Sequence, residues 1–239
     1  MISIRGLKKY FGENKVLDDF DLDLAKKENL VVLGRSGSGK SVLIKCIIGL
    51  LAPDSGRIEV LGKDVLSLDH QALDEIRIRI GFLFQSNALY DSMTVRENLE
   101  FPMRRHSIDL SEEDARQRIE EVLGNVGLSH TIDMMPSELS GGMMKRIALA
   151  RTMILKPDII LYDEPTAGLD PVTGKEIIAL IMDIRKKYNT AAIIISHDMK
   201  CVKATADKII LLQNGKNYKE GNYAFFKGSD DPYVQQFFE

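Results

Sequence analysis

Eight consecutive residues, Gly34, Arg35, Ser36, Gly37, Ser38, Gly39, Lys40 and Ser41, satisfy the pattern G-x-x-x-x-G-K-[ST]. Glycines at these spacings let the backbone wrap so that successive N–H groups face inward, and a helix starting at the end of the loop adds its positive dipole end. The product is an anion cradle built from main chain. Lys40 would reach the β- and γ-phosphates of a nucleotide, and the Ser41 hydroxyl would ligate Mg²⁺, which takes a few hard oxygens and keeps several waters. Arg35 is expected to face solvent. A plain glycine-rich turn capping a helix is the bland alternative; the coincidence of strand, loop, Lys-Ser pair and helix argues against it.

Hydrolysis of a nucleotide needs carboxylates as well, and Asp163 and Glu164 follow directly on the apolar run Ile159, Ile160, Leu161, Tyr162. In open α/β sheets ligands bind at the carboxyl ends of strands. Asp163 is placed to hold Mg²⁺ through water, and Glu164 to polarise the attacking water as a general base. Taken alone, such a pair is a solvated turn; beside the phosphate loop it becomes a candidate catalytic site. His197, after Ile193, Ile194, Ile195 and Ser196, closes another apolar run and is read as a γ-phosphate contact, against the alternative of a satisfied surface or core histidine.

These groups need a scaffold that brings strand ends together. Phe20, Leu22 and Leu24 alternate with Asp19, Asp21 and Asp23, the period of a half-buried strand. Leu30–Leu33, 159–162, 192–195 and 209–212 are continuous apolar runs, alternating with helical spacing near 43–51, 172–188 and 199–205. Alternating strands and helices predict a largely parallel sheet covered on both faces. Between residues 93 and 155 strand signals vanish. Ser111 to Asp114 reads as a capping box ahead of a stripe of Ile119, Val122, Leu123 and Val126. The chain therefore divides into an α/β core over 1–92 and 156–222, an inserted helical subdomain over 93–155, and a tail over 223–239.

Composition narrows the class. A chain of 239 residues with 44% apolar side chains buries a full core, and a net charge of −3 offers no basic field for nucleic acid. Cys46 and Cys201 stand too far apart for a CxxC pair, which points to a reducing cytoplasm. Residues 1–9 reach charge before any apolar stretch forms, and no run approaches the ~20 apolar residues of a membrane span.

Leu139, Ser140, Gly141, Gly142 and Met143 choose among phosphate-loop proteins, because they resemble the LSGGQ signature of ABC transporter ATPases. The other marks follow in order: Phe11 before Gly12 as aromatic adenine platform, with Tyr10 as alternative; Gln85 in the Q-loop, contacting the metal and the γ-phosphate; Asp170 in the D-loop; His197 as switch histidine. The resemblance implies a RecA-like phosphate-loop core, an N-terminal antiparallel β subdomain, a helical signature subdomain, and ATP with Mg²⁺ as ligands. It further implies two ATP molecules sandwiched in a homodimer, the Ser140–Gly142 cradle of one chain closing on the phosphate loop of the other. Met143 stands where that family has Gln, which leaves the backbone donors in place.

A narrower resemblance lies in the flanks. Residues 84–90 (FQSNALY), 101–104 (FPMR), 135–138 (MPSE) and 231–237 (DPYVQQF) look like those of Mce-type phospholipid transport ATPases. That likeness implies a cytoplasmic subunit on the inner face of a Gram-negative inner membrane. Its partners would be an integral permease (MlaE-like), an MCE-domain protein (MlaD-like) and, as a further candidate, a STAS-domain subunit (MlaB-like), with no nucleic acid. Cassettes of amino acid, metal or lipoprotein systems are the alternative, and a non-transport ABC ATPase a more distant one. Leu89 and Tyr90 are expected either to line the groove that receives a permease helix or to belong to the core. Tyr233, Val234, Phe237 and Phe238 require a partner, in the same cassette, the neighbouring chain or the permease.

Overall fold

The computed structural model describes residues 1–238 apart from Ser107 and Asp109; Glu239, the end of the tail, lies outside it. Strands β1 (Ile2–Phe11) and β2 (Asn14–Leu24) pair with β4 (Ser55–Val60) and β5 (Lys63–Asp64) in an antiparallel sheet ordered β2-β1-β4-β5. The predicted alternation in β2 is real: Phe20, Leu22 and Leu24 are buried, while Asp19 holds a left-handed bulge at φ 66°.

The second sheet carries β3 (Asn29–Leu33), β6 (Ile80–Leu83), β7 (Ile159–Asp163), β8 (Ala191–Ile195), β9 (Lys208–Gln213) and β10 (Lys216–Gly221) in the order β10-β9-β3-β8-β7-β6. All its pairings are parallel except the β9–β10 hairpin. The continuous apolar runs now have their reason. Val31, Leu33, Ile160, Tyr162 and Ile194 face one buried cluster; Leu30, Val32, Leu161, Ile193 and Ile195 face the other. One cluster includes the antiparallel sheet and α1 (Lys40–Ile47), with Ile76 from α2 (His70–Ile78). The other includes the helical segment, α6 (Pro171–Tyr188) and α7 (Met199–Thr205). Helix α1 stops at Ile47, short of the apolar spacing that continues to Leu51, because Gly49 turns the chain at φ 65°.

Residues 93–155 form α3 (Val95–Arg105), α4 (Glu112–Asn125) and α5 (Gly141–Met153). Ser111 caps α4 as expected, accepting the Asp114 N–H at 3.1 Å. The box is not reciprocal, since the short Asp114 side chain accepts the Ser111 hydroxyl at 2.6 Å. A full capping box occurs instead at Thr94 and Glu97, where the longer carboxylate reaches the Thr94 N–H. The tail forms α8 (Tyr223–Lys227) and α9 (Pro232–Gln235), and it packs on its own chain: Phe226 and Val234 are buried in the main cluster, with Phe237 and Phe238 against it.

Candidate active site

Because β3, β8, β7 and β6 are neighbours and parallel, the loops leaving their carboxyl ends lie side by side. They carry the phosphate loop, His197, the Asp163–Glu164 pair and Gln85. A cavity of about 640 Å³ opens there, within the range of small-molecule sites. Phe11 and Val16 line it from the antiparallel sheet, the phosphate loop from Gly34 to Ser41 except Ser38 forms its floor, and Gln85, Glu164, His197 and Phe237 close the sides. Tyr10 is absent from the lining and its hydroxyl donates to Asp18 at 3.0 Å, so of the two candidates Phe11 is the one that faces the cavity.

Gly39 sits at φ 102°, and a Cβ there would come 2.8 Å from the Val16 carbonyl oxygen. It precedes α1 without a side-chain cap, so the first amides of the helix keep their donors for a ligand. Lys40 is 7% exposed, and its ammonium donates to the carbonyls of Gly34 (2.8 Å) and Arg35 (2.9 Å). Burial lowers its pKa, opposed by the charges of Glu164 and Asp163. The Ser41 hydroxyl donates to Asp163 Oδ1 at 3.3 Å. Burial raises the Asp163 pKa against that bond, and the neighbouring Glu164 charge adds to the rise.

Glu164 adopts φ 49°, a left-handed conformation that costs a non-glycine residue roughly 1–3 kcal/mol and is held by its N–H donating to Ile195 O at 2.9 Å. One carboxylate oxygen lies 2.9 Å from His197 Nδ1; the other, Oε2, is buried without a partner, as is Ser38 Oγ. Unpaired buried polar atoms call for an occupant. A serine hydroxyl beside a carboxylate is a donor set suited to Mg²⁺, and the open amides with Lys40 suit a polyphosphate.

The position of Gln85 depends on residues that the sequence reading passed over. Its carbonyl accepts the Lys145 ammonium at 3.0 Å. Next to it Asn87 and Ala88 are both left-handed, at φ 64° and 53°, and their carbonyls accept from Arg151 at 3.1 and 2.8 Å. Buried Asn98 receives the Tyr90 N–H at 2.8 Å and donates to three carbonyls between Tyr90 and Thr94. The available signal was Lys145 itself, a cation on a helix whose neighbours Ile147, Ala148 and Leu149 are apolar. Leu89 is half-buried against the core, while Tyr90 is exposed and packs its ring against Phe101, tilted at 54° with centroids 4.8 Å apart.

Ser140, Gly141, Gly142 and Asp170 form a second group outside the cavity. Ser140 caps α5, accepting the Met143 N–H at 3.3 Å; Asp170 caps α6 through the amides of Val172 and Thr173. A Cβ on Gly142 would meet Thr173 Cγ2 at 2.7 Å, whereas Gly141 is open. The signature and the start of α6 thus share one surface. Asp163 and Ser38 also miss the lining, though Ser41 ties Asp163 to it.

A phosphate loop on a parallel sheet, a metal-competent Ser–Asp pair and a left-handed glutamate at the end of β7 define a nucleotide hydrolase. Residues 17–167 match the family model described as ABC transporter, and the chain belongs to that family. It is an ATPase cassette binding ATP with Mg²⁺. It is 39% identical over 99% of its length to the probable ribonucleotide transport ATP-binding protein mkl of Mycobacterium leprae, covering 68% of that protein. Against the methionine import ATP-binding protein MetN of Brucella abortus it is 35% identical over 98% of its length, covering 63% of that chain. The chain therefore spans about two thirds of these relatives. A solved dimer of the ATP-binding cassette MJ0796 with ADP and Pi superposes with TM-score 0.84 at 30% identity, over 93% of this chain and 98% of that one. Among the described residues no helix is long and apolar enough to cross a membrane.

Proposed function

We propose that two copies of this chain close around two ATP molecules, and that hydrolysis reopens them to drive a membrane permease. One observation carries the reading: Lys40, Glu164 and His197 share a cavity from which Ser140, Gly141 and Gly142 are absent. A half-built phosphate site and a spare cradle on the same chain are complementary when the chain meets a copy of itself. Lys40 exchanges the Gly34 and Arg35 carbonyls for β- and γ-phosphate oxygens. Phe11 stacks on the adenine. Ser41, Gln85 and Asp163 would hold Mg²⁺, Asp163 through water, and the ion would supply charge neutralisation at the transferring phosphoryl group. Glu164 accepts the proton of the attacking water through Oε2, and His197 keeps the other oxygen oriented while facing the γ-phosphate.

Glu164→Gln should bind MgATP, turn over ~10²- to 10⁴-fold more slowly and accumulate as a closed dimer in size-exclusion chromatography. Near-normal turnover would remove Glu164 from the proton transfer.

The finer reading is phospholipid transport of the Mce type. It is supported by the flanks at 84–90, 101–104, 135–138 and 231–237, and places the cassette on the cytoplasmic face of an inner membrane beneath an MlaE-like permease, with MlaD-like and MlaB-like subunits. The names of the relatives favour a nucleotide or an amino acid as cargo instead. Purification from membranes with mass spectrometry of the associated permease and lipid decides; a periplasmic amino-acid receptor in the complex would exclude the lipid reading.

A further inference from the structure

The tail touches the phosphate loop. Arg35, the second residue of that loop, donates through Nη2 to Gln236 Oε1, and its guanidinium lies 5.3 Å from the centroid of the Tyr233 ring, within cation–π reach. Phe237 forms part of the wall of the nucleotide cavity itself. This end of the chain has a fixed seat. Val234 is fully buried, and Asp231 accepts the N–H groups of Tyr233 (2.9 Å) and Val234 (3.4 Å), the Tyr218 hydroxyl (2.8 Å) and the Lys219 ammonium (2.6 Å). Arg35 is thereby fastened on two sides. Its carbonyl accepts the Lys40 ammonium within the loop, and its side chain is held from outside by Tyr233 and Gln236.

We propose that the C-terminal tail is a working part of the nucleotide site, bracing the phosphate loop through Arg35 in the conformation that receives phosphate. The inference rests on the nucleotide reading of the cavity. A loop with glycines at 34, 37 and 39 has much conformational freedom to lose on binding, because glycine surrenders more backbone entropy than any other residue. Fixing one of its side chains beforehand removes part of that loss from the binding step, which raises affinity without a new contact to the ligand. The tail acts as a wall rather than a plug, since the cavity keeps its volume of about 640 Å³ with Phe237 in place. Arg35 and Gln236 are positioning residues in this account.

Isothermal titration of the full chain with MgADP tests it, because ADP avoids both hydrolysis and ATP-driven closure. Arg35→Ala and the double variant Tyr233→Leu/Gln236→Ala should each weaken MgADP about three- to tenfold, the range expected for loss of a cation–π and a charged hydrogen bond acting through preorganisation. Combining all three should weaken it no further, because both routes break one brace. Should Tyr233→Leu lower the melting temperature of the free chain, Gln236→Lys repels Arg35 while leaving the buried Val234 anchor intact, and the same weakening is expected. Unchanged affinity in these variants, or fully additive losses, overturns the brace; tighter MgADP binding shows that the tail obstructs the site. Failure of the unmodified chain to bind MgADP would sink the nucleotide reading instead.

Discussion

The phosphate loop and the signature are built from the same parts and end differently. Each is a Ser/Gly segment opening a helix, α1 in one case and α5 in the other. At α1 the residue before the helix is a left-handed glycine without a capping side chain, a buried lysine sits at the first helical position, and two carboxylates stand opposite. At α5 a serine already caps the helix, Gly142 borders the start of α6, and the buried lysine of that helix, Lys145, is turned to the carbonyl of Gln85. The first is a site with charge compensation of its own; the second supplies dipole and amides with none. A helix start of that second kind neutralises a phosphate only in company, and the company proposed above is the phosphate loop of another copy.

That comparison breaks or holds most sharply in mixed dimers. Lys40→Ala damages the phosphate loop, and Gly141→Asp damages the signature at a position where a side chain meets nothing in its own chain. Gly142 is the poorer choice, because any Cβ there strikes Thr173 and would disturb the α6 cap. If the signature works across the interface, a dimer of the two variants holds one intact site. A non-hydrolysable ATP analogue should then be trapped in a closed mixed dimer at one site per dimer, while neither homodimer closes. No closed, analogue-trapped dimer in the mixture would show that the signature serves its own chain.

Sequence made the first cradle legible because its chemistry is contiguous: eight residues in a row, with a strand run before and a helical spacing after. The sheet was equally readable, since residues 159–162, 192–195 and 209–212 bury both faces and so show unbroken apolar runs. Contacts between remote segments were not readable. Lys145 to Gln85 spans 60 residues, Arg35 to Gln236 spans 201, and neither pairing leaves a local pattern. The tail illustrates the limit well: its apolar residues called for a partner that spacing alone did not identify, and Val234 is buried in the core of its own chain.

Lys145 links the two cradles, which gives the next largest expected effect. Lys145→Met keeps the apolar stem but leaves the Gln85 carbonyl without its donor. Because burial already lowers the lysine pKa, replacing the buried ammonium by a thioether should change the melting temperature little. Turnover should fall about tenfold with MgADP affinity nearly unchanged, since misplacing a positioning loop by a fraction of an ångström acts on the reacting geometry. Lys145→Arg should recover part of the rate. Equal losses in affinity and rate would make Lys145 a structural residue.

A smaller effect distinguishes the charge in the two regions. The Asp163 pKa is raised by burial, so its ionised form opposes folding at neutral pH, and that cost disappears as pH falls through the raised value. Asp163→Asn should therefore raise the melting temperature of the nucleotide-free chain by about 2–4 °C at pH 7, for roughly 1 kcal/mol in a domain of this size, with a smaller gain at pH 4. Mg²⁺-dependent turnover should be lost in the same variant. A lower melting temperature would mean that the Ser41 hydrogen bond outweighs desolvation.

The smallest effect belongs to the signature cradle alone. Ser140 accepts the Met143 N–H at 3.3 Å, so removing its hydroxyl takes away the cap that α1 never had. Ser140→Ala should cost about 1 kcal/mol and Ser140→Gly only a few tenths, because glycine leaves the end amides open to water. By scanning calorimetry that is a fall of about 2–4 °C for alanine and under 1 °C for glycine. The ATP-closed dimer separates the two roles of the hydroxyl. If Ser140 only caps its helix, the two variants differ in closed-dimer population as they differ in stability. If the hydroxyl also reaches phosphate across the interface, both weaken the closed dimer alike despite their unequal stability, since neither retains a donor oxygen.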